Sequence, residues 1–364
     1  MFKMMPEYVD YLESFKRFGV RPFEKEIIIR KKLGDNISIL LRQDIEYSIL
    51  KLSPKRYIPY IYSWGKFVGY QVAQQALRTL KVSLTTKIIS KIYFMKLLES
   101  EIFQEGFRKV WIKNKTAIPS FTYFDEKAKV FRIKAEECDE VYGFPNIGKR
   151  ICFYTSGLIA GNIESVLEKT VNTIETKCIA DGHEFCEFLS EIDSKFPEKF
   201  ELLKKSDFVK IRRNILKRMT LHKVSRKILS DFCHLAQFQV LYLGIWLSSP
   251  GSHTMLYWVG KETGKGIKIK FKEGKSIDSK LKNLKKIFKD MKIGILEVNK
   301  KNKKLNFIVK ECAFSAGSKN IGKRICSYTA GLISGFLSTK KRKYNIVETK
   351  CIANGDKHCE FQVI

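Results

Sequence analysis

The feature that most constrains the fold is an internal duplication. Residues 146–161 read NIGKRICFYTSGLIAG and residues 320–335 read NIGKRICSYTAGLISG, identical at 13 of 16 positions. Downstream, ETKCIADGHEFCEF (175–188) returns as ETKCIANGDKHCEF (348–361), and Glu-Cys at 137–138 returns at 311–312. Similarity of this length does not arise by chance, so one domain has been copied within the chain.

A fainter repeat extends upstream of these motifs. A Tyr-x2-Gly-x3-Gly pattern begins at Tyr62 and again at Tyr257, which makes the repeated unit about 100 to 130 residues, the usual size of one domain. We therefore predict two domains. They are residues 1–195, with the motif core at 137–188, and residues 196–364, with the motif core at 311–361.

Local patterns predict the same order of elements in each copy. In the second copy, apolar residues between 281 and 291 recur at helical spacing, and residues 292–298 and 305–310 read as strands. In the first copy we expect a helix over about 85–104, then strands at FRKVWIK, FTYF and KVFRIKA, then a helix from near Ile147. This order predicts an α+β domain with helices packed on an antiparallel sheet.

Composition narrows the function classes. Lys and Arg total 68 against 38 Asp and Glu, a net charge of +30, which favours anionic partners or a solvated basic surface. The longest apolar run, residues 235–247, is shorter than the roughly 20 residues of a membrane-spanning helix and is predicted to be a core element. The N-terminus has no secretory pattern, so we expect a cytoplasmic protein whose nine cysteines are thiols or metal ligands.

Each copy ends in a cluster of Cys and Glu with the composition of a metal site. In the first copy, Cys178 and Cys186 face each other across a turn, Glu175 precedes them and Cys152 opens the preceding helix. Zinc accepts such a set of thiolates and carboxylate, although a disulfide and simple buried thiols remain alternatives. Glu175 and Cys178 would face opposite ways on a regular strand, so we predict a bulge or a bend between them.

The cysteines outside these clusters are assigned differently. Cys138 and Cys312 also recur, but we predict that they pack rather than bind metal, and Cys233 has no counterpart.

Together, these motifs resemble the 4-vinyl-reductase domain family, including archaeal hydrocarbon-binding proteins and the input domains of bacterial activators that respond to aromatic compounds. The resemblance implies a ligand-binding domain related to nitric-oxide-sensing haem domains and Golgi-tethering subunits, usually dimeric. It implies two structural zinc ions, a small hydrophobic ligand, and a homodimer or an intramolecular pseudo-dimer. Carried over residue by residue, the zinc ligands are Cys152, Glu175, Cys178 and Cys186, then Cys326, Glu348, Cys351 and Cys359.

Two weaker sets of candidate residues remain. Aromatic residues near the paired glycines are candidates to line an apolar ligand pocket, although core packing explains them equally well: Tyr62, Trp64, Tyr257 and Trp258. A basic amphipathic segment, residues 203–229, is the best candidate for binding nucleic acid, although an ordinary surface helix has the same pattern: Arg212, Arg213, Lys217 and Arg218.

The function that the sequence favours is small-molecule binding or sensing. A nucleic-acid-associated or regulatory factor is the alternative, and a reductase-like enzyme is the second alternative. An enzyme is least favoured, because the chain shows no dinucleotide fingerprint, no paired catalytic carboxylates and no evident triad.

Overall fold

The computed structural model describes residues 28–79, 94–194, 200–221, 226–269, 276–301, 304–318 and 320–364. Helices and antiparallel sheets follow one another in the same order in both halves of the chain, which confirms the predicted α+β class. Of the helix predicted over 85–104, the part before residue 94 lies outside the described residues.

The first half opens with a short strand and a run of helices. Its elements are β1 (Asn36–Ser38), α1 (Ile39–Leu52), α2 (Pro54–Thr79), α3 (Phe94–Glu99), α4 (Glu101–Lys113), β2 (Ile118–Asp125), β3 (Val130–Glu136), α5 (Phe153–Leu167), β4 (Val171–Lys177) and β5 (Cys186–Ile192). The strands β2 to β5 form one antiparallel sheet in the order β2-β3-β5-β4.

The second half begins with one additional helix and then, in the residues described, repeats this order with three helices, rather than four, before its four-stranded sheet. Its elements are α6 (Lys205–Leu221), β6 (Phe232–His234), α7 (Leu235–Leu247), α8 (Ser252–Lys268), α9 (Ile277–Asp290), β7 (Ile295–Lys301), β8 (Lys304–Lys310), α10 (Ser327–Leu337), β9 (Ile346–Lys350) and β10 (Cys359–Val363). The second sheet has the matching order β7-β8-β10-β9.

Glycines allow two helices of each half to pack with their backbones in contact. A Cβ atom added to Gly157 of α5 would lie 2.0 Å from the carbonyl oxygen of Tyr62 on α2, and one added to Gly65 would lie 2.3 Å from that of Tyr154. Neither backbone can give way by that much, so only glycine fits. The second half repeats this crossing with Gly260 and Gly331, which fixes the helix that carries the first Cys of each cluster.

One strand prediction was wrong. FRKVWIK lies at the end of helix α4, because Phe103, Phe107 and Trp111 recur every four residues and stack on one another against the sheet residue Phe121. Ser100 begins this helix by accepting a hydrogen bond from the backbone N–H of Phe103. The β-rich composition of the segment was therefore outweighed by its helical period.

Each half of the chain makes the same kinds of contact with the other half. Strand β1 pairs antiparallel with β6, with Ile37 opposite Cys233. Arg30 donates hydrogen bonds to the carbonyl oxygens of Lys292 in the second half and Asn36 in its own. Arg226 donates in the same way to Lys115 of the first half, 2.9 Å away. Each half thus contributes a strand and an arginine to a shared interface with approximate two-fold symmetry.

The apolar segment 235–247 is helix α7, and most of it is buried, as predicted for a core element. Among the described residues, no helix combines the length and the apolar composition needed to cross a membrane.

Candidate metal centres

Four elements bring the first cluster together. Cys152 is the residue immediately before helix α5, Glu175 lies on β4, Cys178 follows the end of β4, and Cys186 begins β5. One ligand atom from each of these residues lies within 4.8 Å of every other. We call these four residues the first metal site.

A bulge in β4 explains how Glu175 and Cys178 can face the same side of the strand. The pairing of β4 with β5 shifts register between Glu175 and Lys177, so Glu175 lies opposite Phe188 and Lys177 opposite Glu187. One additional residue in β4 lets Glu175 and Cys178 point to the same side. A turn with Gly182 at φ 91° then returns the chain to Cys186.

The second metal site is built in the same way from Cys326, Glu348, Cys351 and Cys359, again with ligand atoms within 4.8 Å of one another. The pairing of β9 with β10 shifts register beside Glu348, and Gly355 makes the turn at φ 91°. The two copies of the motif therefore place three cysteines and one glutamate in the same arrangement.

Distances between the sulfurs fit a tetrahedral metal ion. The Sγ atom of Cys152 lies 3.5 Å from that of Cys186 and 3.9 Å from that of Cys178. In the second site the three Sγ separations are 3.6, 3.7 and 4.0 Å. Zinc–sulfur bonds of about 2.3 Å at tetrahedral angles place sulfurs about 3.8 Å apart. A disulfide requires about 2 Å, and the cysteines are free thiols.

The glutamates show what the sites lack without a cation. Oε2 of Glu175 accepts a hydrogen bond from the backbone N–H of Cys152, whereas its Oε1 is buried without a hydrogen-bond partner among the described residues. Glu348 repeats both features with Cys326. Burial, and then the neighbouring Cys178, raise the pKa of Glu175 well above its ordinary range. A bound dication would pair with both the orphaned oxygen and the accumulated negative charge, so the residues fit a metal.

A fourth sulfur adjoins the three cysteine sulfurs of each site. The Sγ atom of Cys138 lies 4.0 Å from that of Cys152, and the Sγ atom of Cys312 lies 3.6 Å from that of Cys326. Both side chains are fully buried, and neither belongs to the set of atoms within 4.8 Å of one another. In the second site, the hydroxyl of Ser315 also lies 3.1 Å from the Sγ of Cys359.

A buried group of charges beside the first metal site had not been predicted. It consists of Arg42, Glu46, Asp139 and Glu140, which we call the charged cluster, and all four side chains are fully buried. Arg42 forms ion pairs with Asp139, Glu46 and Glu140. Burial raises the pKa of Asp139 to about 7, against the opposing effect of Arg42. The signal in the sequence was a run of charges at 42, 44 and 46 inside an otherwise apolar helix.

The predicted pocket residues lie in separate places. Tyr62 is fully buried and its hydroxyl accepts a hydrogen bond from the backbone N–H of Thr173. Trp64 donates to the carbonyl oxygen of Val240 in the other half. Trp258 is 42 % exposed, and the hydroxyl of Tyr257 accepts a hydrogen bond from the backbone N–H of Ile346.

The predicted nucleic-acid residues do not share one face. All four lie on helix α6, where Arg213 and Lys217 are exposed and Arg212 is half-buried. Arg218 points inward, donates to the side-chain oxygen of Gln43 and has its pKa lowered by burial to about 10.

Comparison with known proteins places these sites in context. The sequence profile of the 4-vinyl-reductase domain matches residues 131–192 and 305–364, which contain the two metal sites. The uncharacterized protein MJ0150 of Methanocaldococcus jannaschii is 35 % identical over 156 residues, covering 42 % of this chain and 88 % of that protein. The uncharacterized protein MJ0745 of the same organism is 34 % identical over 113 residues, covering 31 % of this chain and 56 % of that protein.

Solved structures were also compared with the chain. A vinyl-4-reductase family protein from Methanocaldococcus jannaschii is 28 % identical with a TM-score of 0.29, covering 42 % of this chain and 87 % of that chain. The phenol-responsive sensory domain of the transcription activator PoxR is 14 % identical with a TM-score of 0.32, covering 46 % of this chain and 78 % of that chain. The repeated motifs, the profile matches and the similarity to MJ0150 agree: the chain belongs to the 4-vinyl-reductase domain family and carries two copies of its domain.

Proposed function

We propose that this protein binds or senses a small hydrophobic or aromatic molecule and that each half is stabilised by one structural zinc ion. The observation that carries the proposal is the paired clusters of three cysteines and one glutamate, one in each region that matches the family profile. Four protein ligands leave no open position for a reacting water, which is typical of structural rather than catalytic zinc. Each zinc would connect a helix start to the terminal hairpin of its domain.

A narrow cavity between helices α1 and α6 is the site we propose for the small molecule. Its lining combines apolar and polar side chains: Asp44, Tyr47, Ser48, Phe208, Arg212 and Ile215. Oδ1 of Asp44 is fully buried without a hydrogen-bond partner, so a ligand hydroxyl can donate to it. The cavity encloses about 10 Å³, so an aromatic ring would contact Tyr47 and Phe208 only after α6 moves away from α1.

Side chains of this cavity reach both metal-bearing helices. The hydroxyl of Tyr47 donates to the carbonyl oxygen of Ile151, the residue before Cys152. Oδ2 of Asp44 accepts a hydrogen bond of 2.8 Å from Tyr328, two residues after Cys326. A ligand that displaces both Tyr47 and Asp44 would therefore act on the start of α5 and of α10 together, which is what a sensing role requires.

The zinc part is tested by measuring metal content by mass spectrometry. The protein is purified without a metal-affinity tag, as wild type and as Cys178→Ser combined with Cys351→Ser. We expect about two zinc ions per chain in the wild type and a loss of both in the double variant. A wild type without metal, together with nine titratable thiols, contradicts this part.

The ligand part is tested by solvent extraction of the same protein and by thermal shift with phenol-like compounds. We expect stabilisation of the wild type that Asp44→Asn weakens about tenfold in apparent affinity, since the carboxylate acceptor is lost. Val240→Ala is the matched control, because Val240 holds the position of Asp44 in helix α7. No stabilisation by any compound, and none extracted, argues against the cavity as a binding site.

A further inference from the structure

We infer that Cys138 and Cys312 are reserve metal ligands. Each replaces the glutamate of its site when the bound metal prefers sulfur to oxygen, so that each centre exists either with three cysteines and the glutamate or with four cysteines. This inference rests on the proposed metal sites and adds a second state to them.

The distances place each reserve sulfur beside the ligands. Cys138 Sγ and Cys152 Sγ are 4.0 Å apart, and Cys312 Sγ and Cys326 Sγ are 3.6 Å apart. These values equal the separations among the ligand sulfurs themselves, 3.5 to 4.0 Å. The same contact between sulfurs occurs in both copies of the domain.

The backbone holds each reserve cysteine in place. Glu137, the residue before Cys138, has a φ of 52°, and so has Glu311 before Cys312. The carboxylate of Glu137 accepts hydrogen bonds from the backbone N–H groups of Lys227 and Leu229 in the other half. A left-handed residue fixed in this way orients the following side chain, so the exchange needs a shift of the metal rather than of the chain.

The glutamate can leave without losing its other contact. Oε2 of Glu175 accepts the N–H of Cys152, and Oε1 is buried and accepts no hydrogen bond from the described residues. In the exchange, the metal–oxygen bond would break, a bond from the metal to the Cys138 sulfur would form, and the thiol proton would pass to the released carboxylate. No electron is transferred, and the total charge of the buried site is unchanged.

Metal type decides which state forms. Thiolates select soft metals, whereas carboxylates suit harder ones. Zinc accepts both, so the state with the glutamate bound suffices for it. Cadmium, which is softer than zinc, gains more from a fourth sulfur.

The first experiment uses the unmutated full-length chain, so folding is not at issue. X-ray absorption counts the sulfur atoms around the metal after loading with zinc alone or with cadmium alone. We expect three sulfurs per zinc and four per cadmium. Three sulfurs and one oxygen around cadmium overturn the inference and leave the proposed zinc sites intact. A chain that binds neither metal contradicts the proposed sites themselves.

The second experiment removes the glutamates. Glu175→Gln with Glu348→Gln keeps an acceptor for the N–H groups of Cys152 and Cys326 but removes the carboxylate. Loaded with cobalt, this variant should gain about a third in thiolate-to-cobalt absorption, because four sulfurs replace three.

Adding Cys138→Ser and Cys312→Ser to the glutamine variant should then lower cobalt affinity by about 100-fold. The serine changes alone should leave zinc content as in the wild type. Equal loss of cobalt in the glutamine variant and in the combined variant contradicts a reserve role.

Discussion

The first half places charges behind its metal site where the second half places aromatic rings. Phe238, Tyr242, Ala313 and Phe314 occupy the positions of Arg42, Glu46, Asp139 and Glu140. Phe314 packs 4.6 Å from Tyr242 and 5.2 Å from Phe238, measured between ring centroids. The same backbone fold therefore encloses charged side chains in one half and aromatic side chains in the other, while the three cysteines and the glutamate of each cluster stay the same.

The difference also changes how the ligand-bearing helix begins. Glu140 accepts hydrogen bonds from the backbone N–H groups of Tyr154 and Thr155 at the start of α5 and from the Thr155 hydroxyl. Phe314 cannot do so at the start of α10, and the hydroxyl of Thr329 there is buried without a hydrogen-bond partner. In the first half, hydrogen bonds and ion pairs hold the region at the start of α5. In the second half, apolar contacts hold the equivalent region at the start of α10.

The largest effect is expected from Arg42→Met. It leaves three carboxylates buried without their cation, which costs about 3 to 5 kcal/mol of unfolding free energy. Phe238→Met, at the equivalent position of the second half, should cost under about 1.5 kcal/mol because volume is nearly kept. Chemical denaturation measures both. Equal losses of unfolding free energy in the two variants would mean that the ion pairs of the charged cluster add no stability beyond that of side-chain packing.

The second prediction concerns pH. Burial raises the pKa of Asp139 to about 7 and raises that of Glu46, so the folded protein keeps protons that the unfolded chain loses from about pH 4. Stability should therefore fall as pH rises from about 4 to about 7, by about 4 kcal/mol for the roughly three pKa units between the unfolded and folded values of Asp139.

The control for this prediction is Glu46→Gln with Asp139→Asn, followed by thermal unfolding across the same pH range. We expect the slope to flatten. An unchanged slope would assign the pH dependence to groups outside the charged cluster.

A smaller difference is expected between Glu137 and Glu311, the two glutamates that accept backbone N–H groups from the opposite half of the chain. Glu137 accepts N–H groups from Lys227, Ile228 and Leu229, whereas Glu311 accepts them from Lys32 and Leu33. Glu137→Ala should cost about 1 to 3 kcal/mol, and Glu311→Ala somewhat less, because fewer donors lose their acceptor. Comparing the two denaturation midpoints ranks the two glutamates, and the opposite order would contradict this account.

The smallest effect separates the two metal sites. Ser315 approaches the sulfurs of Cys359 and Cys326, whereas Val141 holds its place in the first half. Ser315→Val should weaken metal binding at the second site about tenfold, and Val141→Ser should strengthen the first. Competition with a chelator measures both, and a Ser315→Val site that holds its metal as before would show that the hydroxyl does not contribute.

Much of each metal site was predictable from sequence because the duplication gave two independent readings of one spacing. Even the bulge beside Glu175 follows from requiring Glu175 and Cys178 to face the same way. The charged cluster was not predicted, because its members come from α1 and from a loop about 97 residues later (139 − 42). Only the packed fold brings them together.

Two other features were missed for different reasons. The α4 helix was read as a strand because local β propensity was weighed above the four-residue spacing of Phe103, Phe107 and Trp111. The repeat was traced upstream only to Tyr62, although Arg-Lys-x-Leu-x-Asp at 30–35 returns at 226–231. That short motif has little meaning until the structure shows Arg30 and Arg226 crossing to opposite halves.

The reciprocal pairing of β1 with β6 has a consequence for synthesis. The two strands are separated by 196 residues (232 − 36), and a ribosome adds about 5 to 20 residues per second. For about 10 to 40 seconds at that rate, the first half would emerge with strand β1 lacking its partner and Arg30 lacking the carbonyl of Lys292. We therefore expect the nascent first half to expose the edge of β1 until β6 has been synthesised.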